Sequence, residues 1–110
     1  MSNSSMNEIE IAAIIKDTCA KNGVMISEMI FFGSRRRGDN RINSDYDFIA
    51  VCPNDITHEK KMTLWLATGR ALAVHRISAD ILFKSEKEYK SDKTNKGKVT
   101  YYAAKEGVTV

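Results

Sequence analysis

Gly33-Ser34 and, after ten intervening residues, Asp45-Tyr46-Asp47 are the residues whose types and spacing suit chemistry. Apolar runs flank them: Met29-Ile30-Phe31-Phe32 before and Phe48-Ile49-Ala50-Val51 after. An apolar strand therefore enters a small turn rich in backbone N–H groups. A basic loop follows, and two carboxylates stand where a second apolar strand begins. Gly33 lets the main chain approach a phosphate closely. Ser34 adds a hydroxyl donor, and a helix opening there would aim its first N–H groups at an anion. Arg35 and Arg37 could add charge-assisted contacts to a phosphate tail, with Arg36 turned to solvent or a partner. Residues i and i+2 of a strand share a side, so Asp45 and Asp47 stand about 6.5–7 Å apart at Cα. Unneutralised, they would repel each other. Mg²⁺ is commonly shared between one or two carboxylates and substrate phosphates, so the pattern suits a magnesium-bound nucleoside triphosphate.

Two further conditions follow. The turn and the carboxylates can share one ligand only if the two strands run antiparallel, despite a connection of about a dozen residues. A two-metal transfer reaction also needs the attacking oxygen activated. Asp80, opening the apolar run in Ser78-Ala79-Asp80-Ile81-Leu82-Phe83, is the candidate third acid. The plain alternatives are a turn residue at Asp45, a strand-edge charge at Asp47 and a helix-to-strand acid at Asp80. They leave the Gly-Ser spacing unexplained.

The elements that must hold these residues are read from local signals. Ser5-Met6-Asn7-Glu8 has capping-box spacing, and Ile11, Ile14, Ile15 and Cys19 then share a helical face. Asn22-Gly23 stops that helix. Strands are expected over 25–32, 46–52 and 80–84, the last with Ile81 and Phe83 on one side and Leu82 on the other. Pro53-Asn54-Asp55 breaks the second strand and can cap a helix over 57–74. Met62, Trp65, Leu66, Gly69, Leu72 and Ala73 mark its apolar face, with Trp65 read as core. Ser85 can open a short helix. Val99, Tyr102 and Ala103 suggest a last helix ending at Gly107, with Val108-Thr109-Val110 extended. The expectation is one α/β (α+β) domain over 1–110, a small mixed sheet flanked by helices.

Composition sets bounds. The chain has 110 residues, 43% hydrophobic and 28% charged, ordinary for a globular domain. Its net charge of +3 is partly concentrated in Arg35, Arg36, Arg37 and Arg41. Local positive charge beside paired carboxylates fits nucleotide phosphates better than a duplex backbone, so nucleic acid ranks last among partners. Lys84, Lys87, Lys90, Lys93 and Lys96 recur every third residue and read as a solvated face. His58 reads as surface and His75 as loop, neither at metal-ligand spacing. Cys19 and Cys52 lie in apolar stretches and read as buried free thiols. No leader-like segment and no apolar run of membrane-spanning length is seen, so a cytosolic location and no membrane contact are expected.

The Gly33-Ser34…Asp45-x-Asp47 signature resembles that of the DNA polymerase β-like nucleotidyltransferase superfamily. The Gly-Ser-Arg-x-Arg-Gly…Ser-Asp-Tyr-Asp wording and the Lys105-Glu106-Gly107-Val108 ending resemble its minimal nucleotidyltransferase branch. The resemblance implies the nucleotidyltransferase fold, ATP as nucleotide donor, and Mg²⁺ or Mn²⁺ as cofactor. It implies that Gly33, Ser34, Arg35, Arg37 and Ser44 contact nucleotide, and that Asp45, Asp47 and Asp80 are the catalytic acids that hold metal. Many members of that branch are antitoxins paired with an all-helical HEPN ribonuclease toxin. They transfer AMP onto a toxin tyrosine, so a hetero-oligomer is a natural assembly. A binding module that silences its partner by occlusion, with little catalysis, is the alternative. Larger relatives carry a separate substrate domain, for which 110 residues leave no room, so the acceptor is expected on another protein. Arg36 departs from the small residue usual at that place.

Overall fold

The structure is a computed structural model and describes residues 6–38 and 45–110. Ser5, Arg41 and Ser44, all named above, lie outside the described residues.

Helix α1 (Glu8–Lys21) is started by Asn7, two residues later than the Ser5 spacing predicts. The Asn7 side chain accepts from the Glu10 N–H at 2.8 Å, and Glu10 accepts from the Asn7 N–H at 2.9 Å. The same reciprocal logic applies, two residues along. Strand β1 (Glu28–Phe32) begins three residues later than expected, and Met25 is 75% exposed. A single helical turn α2 (Ser34–Arg37) follows at once. Strand β2 (Tyr46–Cys52) has the expected bounds. Helix α3 (His58–Ala73) is capped by Thr57, whose hydroxyl accepts from the Lys60 N–H, rather than by Asn54 or Asp55. Strand β3 (Ala79–Ser85), helix α4 (Glu86–Asp92), helix α5 (Val99–Glu106) and the short strand β4 (Val108–Thr109) complete the chain.

The sheet order is β3-β2-β1-β4. Strands β1 and β2 are antiparallel, as a shared ligand requires, whereas β2 and β3 are parallel with α3 as the crossover. Strand β4 adds antiparallel to the outer edge of β1. Alternation sorts the side chains onto two faces. Met29, Phe31, Phe48, Ala50, Ile81 and Phe83 meet Ile11, Ile15 and Cys19 of α1 and Leu64 and Leu72 of α3. On the other face, Ile30, Ile49 and Val51 meet Tyr89 of α4 and Ala103 of α5, with Leu82 alongside. The result is a small α+β domain with a mixed sheet between helical layers.

Three expectations about faces are corrected. On α3 the buried row is Leu64, Thr68 and Leu72, while Met62, Trp65 and Leu66 are 46%, 49% and 47% exposed. Burying Thr68 is tolerable because its hydroxyl donates to the Leu64 carbonyl at 2.7 Å, within its own helix. On α5, Thr100 and Ala103 are buried, whereas Val99 and Tyr102 face outward. Lys84 does not join a solvated row, since its ammonium donates to Asp92 at 2.7 Å. Cys19 and Cys52 are buried free thiols. Burial pushes them up to about 12 and about 11, so both are protonated and inert at neutral pH. Among the described residues, no helix is long and apolar enough to cross a membrane.

Candidate active site

The C-terminal end of β1 and the N-terminal ends of β2 and β3 meet at one end of the sheet. Their registers put Phe32 opposite Asp47, and Asp47 beside Asp80. Asp47 and Asp80 alternate with the buried Phe48 and Ile81, so both carboxylates lie on the α4–α5 face. Asp45, one residue ahead of β2, is exposed. Sequence reasoning thus named the two acids that the sheet pairs and a third just outside it.

Gly33 joins β1 to α2 with φ 87° and ψ −167°, a region open essentially to glycine alone. A second constraint sits on the same residue. A Cβ at Gly33 would overlap Oδ2 of Asp47 and lie 2.9 Å from its Cγ. The turn and the acid are therefore in direct contact, and the missing side chain is what lets them touch. Residue 37 donates its N–H to the Gly33 carbonyl at 3.0 Å, and Gly38 donates to Ser34 at 2.9 Å. The first N–H groups of such a turn have no acceptor within the turn itself.

The arginines of α2 part company at the end of the sheet. Arg35 lies over the ring of Tyr46, 4.3 Å from its centroid, and donates to the Tyr46 hydroxyl at 3.4 Å. Tyr46 packs on Phe31 and so belongs to the α1–α3 side. Arg37 instead donates from Nη1 to Oε1 of Glu106, at the end of α5, at 3.0 Å. Of the two, Arg37 is on the side of the acids. Arg36 is exposed.

Burial pushes the Asp47 carboxyl above its ordinary range, and the charges of Asp80 and Asp45 push it further, while Arg37 opposes them. Neighbouring carboxylates are a hard-oxygen donor set of the kind that Mg²⁺ or Mn²⁺ takes. Among the described residues, no group of three or more His, Cys, Asp or Glu side chains is drawn tightly enough to hold a metal ion. The acids share a sheet end but not yet a closed cage. Tyr46 and Glu106 were missed by the sequence reasoning. The one signal for Glu106 was its place in the Glu-Gly-Val ending, and Tyr46 was hidden between two acids.

A family model described as a nucleotidyltransferase domain matches residues 11–102. The chain is also similar to a solved structure, that of a protein from Sulfolobus solfataricus provisionally named a nucleotidyltransferase. The match has a TM-score of 0.56 and 21% identity, and it covers 92% of this chain and 77% of that one. At that identity the likeness is one of fold. No protein of curated description matches the sequence.

Proposed function

The chain belongs to the nucleotidyltransferase domain family, and from that premise we propose that it transfers AMP from ATP to a tyrosine hydroxyl of a HEPN-type toxin, acting as the antitoxin of a pair. The observation that supports the reading is the pairing of Asp47 with Asp80 on adjacent strands, with Gly33 packed against Asp47.

The roles follow from the chemistry of each group. Backbone N–H groups of the Gly33–Ser34 turn and the Ser34 hydroxyl receive phosphate oxygens. Arg37 adds charge on the same side, with Arg35 and Ser44 completing the nucleotide contacts. Asp45, Asp47 and Asp80 would hold the divalent ions, which supply charge neutralisation along the triphosphate. Asp80 orients the acceptor hydroxyl and takes its proton as the oxygen attacks the α-phosphorus. The bond from that phosphorus to the bridging oxygen breaks, and pyrophosphate leaves. This reading places the whole 1–110 chain as one transfer domain in the cytosol, where ATP and Mg²⁺ are abundant.

A second reading keeps the pairing but not the chemistry: the chain silences its partner by covering it. The outward row Met62, Trp65 and Leu66 on α3 favours it, together with a cavity of about 510 Å³ between α3 and the start of β3. Exposed aromatic and apolar side chains in a contiguous patch mark protein contacts.

Labelled ATP, Mg²⁺ and a HEPN-type helical protein decide between them. Label on the partner with wild type, and none with Asp45→Ala/Asp47→Ala, is the expected result. Equal labelling by both proteins, or none by wild type, ends the catalytic reading. Full protection of cells by Asp47→Asn selects occlusion.

A further inference from the structure

We propose that the outer edge of β3 is the surface on which a second copy of this chain pairs, joining two sheets into one across a two-fold axis at Leu82. The sheet order β3-β2-β1-β4 leaves two edges. Strand β4 blunts its own by being two residues long. Strand β3 runs for seven residues, Ala79–Ser85, without proline or glycine, and among the described residues no strand pairs with its outer side. An edge of that length with Ile81, Leu82 and Phe83 at its centre is a template for another strand.

Backbone phase and side-chain charge select the occupant. The Tyr46 N–H donates to the Ser78 carbonyl at 3.1 Å, and Tyr46 is the register partner of Ala79. Successive residues of a strand turn their backbone groups to opposite sides. Asp80, Leu82 and Lys84 therefore face β2, and Ala79, Ile81 and Phe83 turn theirs outward. Ser85 also turns outward, but its N–H is taken by Glu88 at 2.9 Å. An antiparallel copy centred on Leu82 sets Ile81 against Phe83 and Phe83 against Ile81, so outward groups meet outward groups. It is also the register that overlaps the whole strand. It sets Asp80 against Lys84 of the second copy at both ends, with unlike charges opposed. Sliding the copy by two residues one way sets Asp80 against Glu86 instead, and sliding it the other way sets Asp80 against Leu82. Contact of i with j and of j with i is what a two-fold interface requires.

The flanks agree. A two-fold axis through Leu82, normal to the sheet, puts both α3 helices on one face of the joined sheet. Trp65 and Leu66 of α3 are 49% and 47% exposed. With Ala79 and Ile81 they wall the cavity of about 510 Å³ beside the edge. Gly69 is in the same wall, and a Cβ there would meet nothing within 4 Å, so α3 is open to close approach. On the other face Lys84 donates to Asp92 at 2.7 Å. An ammonium has three donors and a carboxylate about four lone-pair sites. Lys84 can therefore serve both acids, and Asp80 has sites for that lysine and a metal ion together. The pairing is independent of nucleotidyl transfer.

Sedimentation and cysteine cross-linking test the pairing, with a thermal melt of each variant to check its fold. The mass of wild type should rise with concentration from the 12.4 kDa of one chain toward twice that value. In a pair whose backbone groups turn away from each other, Cα atoms lie about 4.5 Å apart, within the range of about 4.4–6.8 Å that a disulfide spans. Leu82→Cys should therefore form a covalent dimer under mild oxidation. Thr109→Cys, exposed on the opposite edge, should not. Cys19 and Cys52 are buried and do not compete. Asp80→Lys opposes like charges at both ends and should weaken association about threefold to tenfold. Wild type that stays at 12.4 kDa up to about 1 mM overturns the proposal and leaves the edge to a strand of another protein. So does a folded Leu82→Cys that stays monomeric on oxidation, equal cross-linking of Thr109→Cys, or a folded Asp80→Lys that associates as tightly as wild type.

Discussion

Asp47 and Asp80 are direct register partners across the parallel strands β2 and β3, one interstrand spacing of about 4.8 Å apart along the sheet. Like charges at that distance cost free energy unless a cation joins them. The fold nevertheless keeps both at one end of the sheet, with Asp47 against Gly33.

Asp47→Asn removes one of those charges and leaves the shape intact. The variant is expected to fold at least as stably as wild type in metal-free buffer. It should lose the stabilisation that magnesium-ATP gives wild type, and transfer should fall by at least about 10²-fold, the upper scale for losing even an outer-shell metal partner. Thermal melts with and without magnesium-ATP check the first two, and labelled ATP checks the third.

Gly33→Ala carries two penalties. Its backbone is held at φ 87° and ψ −167°, a strain of about 1–3 kcal/mol for a non-glycine residue. Its new methyl group would also displace the Asp47 carboxylate. Denaturant unfolding should show the stability loss, and nucleotide binding should disappear in protein that is still folded. Retained binding would show that the turn and Asp47 need not touch.

Arg35 and Arg37 are predicted to separate experimentally. Arg37 lies toward the acids, and Arg35 is stacked on Tyr46 across the sheet. Arg37→Ala should weaken magnesium-ATP more than Arg35→Ala does. Tyr46→Leu should reproduce the Arg35 effect by removing the ring on which that guanidinium lies.

Neighbouring residues of α3 make a contrast in stability. Leu64→Ala empties a fully buried position and should cost about 2–5 kcal/mol. Trp65→Ala, at a half-exposed position, should cost about 1 kcal/mol or less. Chemical denaturation measures both. If partner capture fails for Trp65→Ala while the fold is intact, the exposed row is the contact surface.

Acid sensitivity has a source away from the site. The Glu88 carboxyl is held below its ordinary value of 4.5, chiefly by the Ser85 N–H it accepts from and then by Lys61. A lowered folded-state pKa means the stabilisation is complete above the unfolded value and fades as pH falls through the folded one. Wild type should therefore lose stability as the buffer is acidified from 4.5 downward. Glu88→Gln keeps an acceptor for the cap and should flatten part of that loss, as melts across the range will show.

The sequence by itself determined whatever rests on short-range chemistry. Glycine and serine set the turn at Gly33-Ser34, Ser85 with Glu88 started α4, and strict alternation fixed which way Ile81, Leu82 and Phe83 point. The ten-residue spacing to Asp45 and Asp47 was legible because β1 and β2 pair as the shared ligand requires. Tertiary structure decided what depends on partners far along the chain. Helix α3 carries two apolar rows, and only packing against α1 selects Leu64, Thr68 and Leu72 over Met62, Trp65 and Leu66. The Arg37–Glu106 contact is of the same kind. No local pattern joins residue 37 to residue 106, because their contact exists only once β4 has zipped onto β1 and closed the chain's two halves around one strand end.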